Sequence, residues 1–310
     1  MSFSSEIKEE LIRIRVKSAA QRLSQLCGAT FTAGGIRISR QPALFYHTEH
    51  PGVAKHIASI ALSLYDADAV VEEKRVEHRR KPFYEVTLSG SEIDRMMRET
   101  GAMTWGENGL KLMSEIPAII FEDEENKRAF LRGCFLGSGS CVDPKRGYHY
   151  ETVFRSKAVA ESVCDLMRAF HLSAKISVRN GDRYLVYLKD GDDVSGMLAL
   201  IGANTFALAL ENVRVEKDMR NYINRTSNCV TANLDKQVVA SLRQRAAIDV
   251  IEKHVGIHSL PASLQQAAQL RTAHPDATVQ ELADMAEIQK SGMYHRLDRL
   301  MKLAEELEAK

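Results

Sequence analysis

The sequence predicts an α+β chain: a domain of order αββαββα, present twice in pseudo-twofold arrangement with an antiparallel strand saddle, followed by an all-α domain. Three observations predict it. The strings LCGATFTAGG (26–35) and LRGCFLGSGS (131–140) share Leu, Gly and Gly at their first, third and ninth positions. The order of strand-like and helix-like segments after the first string recurs after the second, which marks an internal repeat of roughly 100 residues. From Asn204 onward the pattern is helical only.

The first repeat spans about residues 15–100. Residues 3–33 read as helices, the first capped by Ser4 or Ser5. Strands follow at 36–39 and 43–48, then a helix at 52–65 with apolar residues at helical spacing. Strands at 69–76 and 83–88 flank the basic turn EHRRKP, and a further helix starts near Ser91. The second repeat spans about 120–202. It reads as a helix at 125–138, strands in SCVDP and YHYETVF around a Pro-Lys-Arg-Gly turn, and a helix at 156–172. A hairpin through Asn-Gly-Asp and a closing helix in DDVSGMLALIG complete it. The expected domains are 1–203, a helical connector 204–258 in two runs with a cap at Asn228 or Thr231, and a helical domain 259–310.

Net charge is +1, so bulk charge points neither toward nor away from nucleic acid; only local clustering could. The five cysteines show no CxxC pair and no zinc or disulfide spacing. The N-terminal stretch lacks the apolar core of a secretion signal, and no apolar run reaches the ~20 residues a bilayer span needs. These features lead us to expect a cytoplasmic protein with no membrane contact; nucleoid association is expected only through DNA binding.

The small residues Gly28, Ala29 and Ala33, and Gly133, Gly137 and Ser138, allow two helices to approach closely and form the seam of the pseudo-twofold. Gly34 and Gly139 are expected to end those helices in the left-handed conformation. The alternative is two unrelated buried helices that each end in glycine.

This repeat with its paired strings resembles the LAGLIDADG homing endonuclease fold over roughly residues 15–200. The resemblance implies a carboxylate at the eighth position of each string, where the two acids would hold the metal ions that cut DNA. Ala33 and Ser138 stand there instead, and neither can hold a hard cation as a carboxylate does. We therefore expect no catalytic residues, no metal and no cofactor. Asp143, five residues on, reads as a turn residue before Pro144. The fold also implies DNA contact on the strand saddle. Secondary candidates are Arg37, Arg40, Arg79, Arg80, Lys81, Lys145, Arg146, Arg179 and Arg183, near strand ends where phosphates are within reach. They read equally as solvated turns and charged edge protection, because Glu72, Glu73 and Glu77 dilute the cluster.

Residues 278–300 have the layout of a helix-turn-helix. Thr278 and Glu281 form a capping box, Leu282, Ala283 and Ala286 face inward, and Ile288 is a buried turn residue. Glu287 or a neighbour replaces the glycine common in such turns. Ser291 is expected to cap the second helix, whose Met293, Leu297 and Leu300 face the core. Lys290, Ser291, Tyr294, His295 and Arg296 are the candidates for contact with DNA, with Arg299 on phosphate. The competing reading is a three-helix bundle with a solvated basic face.

With SFSSEIKEEL, FLRGCFLGSGSCVDPKRGYHYE, RNYINRTSNCVTAN and KSGMYHRLDRL, the chain resembles the WhiA family over essentially its whole length. That resemblance implies double-stranded DNA binding, chiefly through the C-terminal domain. It also implies roles in cell division and chromosome segregation, in some organisms in sporulation as a transcription regulator. Partners then include other regulatory or cell-division proteins. The competing classes are a protein-interaction module localised to DNA and a metal-dependent endonuclease.

Overall fold

The computed structural model describes residues 2–76, 81–106, 109–179 and 181–309. It divides into two units, 1–217 and 218–310.

The first unit opens with α1 (Phe3–Ile12), capped by Ser2 rather than Ser4 or Ser5. The Ser2 hydroxyl accepts from the Ser5 N–H, and the Ser4 hydroxyl instead spans to Cys141, accepting from its N–H and donating to its carbonyl. Ser18 caps α2 (Ala19–Ala33). Then come β1 (Gly34–Arg37), β2 (Ala43–Thr48), α3 (Pro51–Tyr65), β3 (Asp68–Lys74), β4 (Phe83–Ser89) and α4 (Ile93–Glu99). A hairpin of β5 (Met103–Gly106) and β6 (Gly109–Leu112) and the short α5 (Ile119–Glu122) join the repeats. The second repeat is α6 (Glu124–Ser138), β7 (Ser140–Cys141), β8 (Tyr150–Phe154), α7 (Lys157–Ala169), β9 (Lys175–Arg179), β10 (Arg183–Leu188) and α8 (Gly191–Ile201).

The two sheets have the same antiparallel topology, β1-β2-β4-β3 and β7-β8-β10-β9. Alternation along the strands divides each sheet into a core face and an open face. Leu44, Tyr46, Val86 and Leu88 line the core face of the first sheet, and Tyr150, Phe154, Val186 and Leu188 that of the second.

The helices α2 and α6 pack on each other as the seam. The contact is backbone to backbone. A Cβ on Gly28 would stand 2.1 Å from the Phe130 carbonyl oxygen, and one on Gly133 would stand 2.0 Å from that of Gln25. The paired strings therefore mark one symmetric crossing, not two unrelated helices. Gly34 and Gly139, however, are not left-handed; their φ values are −80° and −64°, in extended backbone. Space decides these two positions. A Cβ would lie 2.6 Å from the Thr30 carbonyl oxygen at Gly34 and 2.2 Å from Phe135 Cδ2 at Gly139.

The expected two-run connector is one continuous helix, α9 (Asn204–His254), with no cap at Asn228 or Thr231. The two compact units part at 217/218, within α9. Near the end of α9, Ala247, Ile248 and Ile251 form an apolar face that joins the core of the second unit. That core is completed by α10 (Ala262–Ala273), α11 (Val279–Met285) and α12 (Lys290–Glu308), through Leu264, Ala267, Leu282, Met293, Leu297 and Leu300 among others.

Candidate nucleic-acid interface

The second unit builds the helix-turn-helix from local rules. Glu281 N–H donates to Thr278 Oγ1 at 3.1 Å, and Thr278 N–H donates to Glu281 Oε2 at 2.7 Å, closing the capping box. The Thr278 backbone N–H first, and its hydroxyl second, hold the Glu281 carboxyl below its usual range. The helix ends in a Schellman turn, with Ile288 N–H donating to the Ala283 carbonyl at 3.0 Å. Glu287 occupies the position where glycine is usual, at φ +53°. Ile288 is half-buried, packed against the core rather than sealed within it.

Gln289, not Ser291, precedes α12, and no side chain caps its first turn. Ser291 lies inside the helix because helical backbone already begins at Lys290. Met293, Leu297 and Leu300 are buried. Lys290, Ser291, Tyr294, His295 and Arg299 are exposed on the remaining surface, and Tyr294 and His295 meet edge to face. Arg296 differs from them: its Nη1 donates to Gln266 Oε1 of α10 at 3.0 Å, which fixes the guanidinium against the neighbouring helix. Gln266 carried no motif signal, because a polar residue on α10 is indistinguishable from a solvated one in sequence.

The secondary candidates lie apart. Arg179 and Arg183 are exposed and sit directly opposite each other on β9 and β10. Like charges across a strand pair repel, so an anion between them would relieve the pair. Lys145 and Arg146 are exposed in the turn between β7 and β8. Asp143 is a turn residue there, its Oδ1 accepting from the Lys145 N–H at 2.9 Å. Arg40 and Lys81 are exposed; Arg79 and Arg80 lie outside the described residues.

Arg37 is engaged on the open face of the first sheet, 3.6 Å from Glu85 and over the Phe45 ring. Glu85 also accepts from Lys74 and pairs with His47 at 2.7 Å. Lys74 first, and His47 second, hold its carboxyl below the usual range. Half of the saddle is therefore centred on a neutralised acid flanked by Phe45, His47 and Phe83. This cluster has no signature in the sequence, because Lys74, His47 and Glu85 come from three strands. At the string positions that would hold metal, Ala33 offers no ligand, and Ser138 bonds the backbone of β8. Ser138 Oγ accepts from Val153 N–H at 2.8 Å and donates to the Val153 carbonyl at 3.0 Å. Among the described residues, no group of three or more His, Cys, Asp or Glu could hold a metal ion.

Residues 127–220 match the model of the WhiA LAGLIDADG-like domain, and residues 223–304 that of the WhiA C-terminal HTH domain. A "Probable cell division protein WhiA" from Clostridium acetobutylicum is 35% identical over 99% of this chain and 98% of its own. The chain belongs to the WhiA family. A second WhiA, from Alkaliphilus metalliredigens, is 37% identical over 98% of both chains. The crystal structure of full-length DUF199/WhiA from Thermatoga maritima matches 99% of each chain at a TM-score of 0.64 and 23% identity, which confirms the WhiA fold. No helix among the described residues is long and apolar enough to cross a membrane.

Proposed function

We propose that this WhiA-family chain is a non-enzymatic protein of cell division and chromosome segregation that binds double-stranded DNA through α12. The reading includes regulation of transcription, with sporulation among its outputs. The observation that carries it is the exposed set Lys290, Ser291, Tyr294, His295 and Arg299 at the start of a helix held by a buried Met293–Leu297–Leu300 stripe. A recognition helix meets base edges with its N-terminal residues, and these side chains are the ones left free of the core. Arg296, braced by Gln266, acts as a fixed guanidinium at that surface. The cell-division setting is drawn from the curated relatives.

The absence of enzymatic activity is supported by Ala33 and by Ser138, whose hydroxyl is spent on the Val153 backbone. Two-metal hydrolysis requires anionic ligands at both strings, so Ser138→Asp alone restores no cleavage. The second reading, a protein-interaction module localised to DNA, is favoured by one feature: the aromatic, acid-centred open face of the first sheet. The deciding experiment measures duplex binding by the full chain and by Tyr294→Ala and Arg299→Ala. Both variants weaken binding, and Tyr294→Ala also flattens preference among sequences. Unchanged affinity and preference in both would remove α12 from the interface.

A further inference from the structure

The second unit carries a cleft of about 280 Å³ beside α12, lined by Asn233, Lys236 and Gln237 of α9 and by Arg271, Gln280 and Lys290 among others. None of its lining residues is acidic. Among them, Arg271 is only 2% exposed. Arg271 Nε donates to Gln244 Oε1 at 2.8 Å, and Nη1 donates to the carbonyls of His274, Pro275 and Ala277 at 3.3, 3.4 and 2.7 Å. Nη2 makes no hydrogen bond among the described residues, and no carboxylate pairs with Arg271, Lys236 or Lys290 there. A buried guanidinium without a counter-ion is costly, because carbonyl partners satisfy its N–H groups without neutralising its charge. One N–H of each glutamine amide is taken: Gln237 donates to the Asp276 carbonyl and Gln280 to Asp284 Oδ1, both at 2.8 Å. The charged groups that line the cleft are all cationic: the buried Arg271 and the unpaired Lys236 and Lys290.

We propose that this cleft seats a backbone phosphate of the duplex read by α12, held by Lys236, Lys290 and Arg271. The proposal rests on the DNA-binding reading above and deepens it, because Lys236 belongs to the long α9 helix and not to the helix-turn-helix. Lys290 is both the first residue of α12 and part of the cleft, so a duplex docked on that helix end brings its backbone there. A phosphate contact positions the duplex without reading its sequence.

The test is binding of the full chain to several mixed-sequence duplexes across a salt series, for wild type, Lys236→Ala and Tyr294→Ala. Lys236→Ala is expected to weaken all duplexes alike, by roughly 3- to 10-fold at low salt, and to make the salt slope shallower by about 0.9. Tyr294→Ala is expected to lower affinity while leaving the slope unchanged. If wild type binds and Lys236→Ala matches it in affinity and slope, the cleft assignment falls while the α12 reading stands. If wild type binds no duplex, both fall. Stabilisation of the wild type, but not of Lys236→Ala, by micromolar inorganic phosphate without DNA would mark a free-anion site and overturn the duplex assignment.

Discussion

The two repeats of the first unit share a backbone plan and differ in what they do with it. At the seam they are alike: Gly28 and Gly133 each leave room for a carbonyl of the opposite helix. On their open faces they diverge. Gly35 and Ser140 both occupy the tenth position of their strings, and they pair with Phe45 and Glu151. Continuing along those registers, His47 faces Glu85 in the first sheet, whereas Val153 faces Leu185 in the second. One half centres its open face on a carboxylate bound by Lys74, His47 and Arg37; the other has a leucine there and unpaired arginines at the hairpin end. The residues that make the fold were kept in both halves, while those facing outward were free to differ. The eighth positions of the strings follow the same rule: Ser138 clamps the Val153 backbone, whereas Ala33 has no polar group to offer.

The seam provides the largest effect. Gly133→Ala drives a methyl into the Gln25 backbone and is expected to cost about 3 kcal/mol or more, measured by urea unfolding of the first unit. Gly137→Ala meets Thr32 Oγ1 at 2.0 Å, which a rotamer change can move, and side-chain carbons of Thr32 and Ala33 at 3.1 and 3.3 Å, with no backbone in the way; about 1–2 kcal/mol is expected. Equal costs would refute a backbone-limited crossing.

The eighth positions of the two strings come next. Ser138→Ala leaves the Val153 N–H and carbonyl without their shared partner, an expected loss of about 1–3 kcal/mol. Ala33→Ser, at the matching position of α2, is expected to be near neutral by the same assay. A silent Ser138→Ala would mean that the hydroxyl carries no structural role.

The open faces should differ in pH response. Glu85 has a lowered folded pKa, so its stabilisation is full above the ordinary carboxylate value and is lost as pH falls through the lowered one. Glu85→Gln should therefore shrink the difference in thermal midpoint between pH 7 and pH 4. Leu185→Gln, at the matching position, should leave that difference unchanged. The smallest effect lies in the second unit: Glu287→Gly relieves a positive φ and is expected to add up to about 1 kcal/mol. A loss of stability would show that the Glu287 side chain repays its strain.

Most of the repeat architecture was legible because it rests on periodicity and on paired strings. The capping box at Thr278 and the buried stripe of α12 were legible for the same reason, since both follow spacing rules. The β5–β6 hairpin was not, because its strands are only four residues long. Nor was the continuity of α9, whose middle is exposed on all sides and carries no amphipathic signal. The glycines at 34 and 139 were correctly placed as helix ends, but the constraint was crowding rather than handedness. At the candidate interface, residue identities could be read from helical phase. The bracing of Arg296 by Gln266 and the burial of Arg271 could not, because both depend on contacts across 27 or more residues of chain.

One experiment tests together the proposals that the second unit holds DNA and that the first leaves it uncut. The most direct measurement incubates full-length wild type and a Lys290→Ala/Tyr294→Ala/Arg299→Ala variant with supercoiled plasmid in magnesium, then resolves protein-bound and protein-stripped samples. Wild type is expected to retard the plasmid and the variant is not, and the stripped plasmid is expected to stay supercoiled in both. Nicked or linear plasmid, or undiminished retardation by the variant, would contradict them.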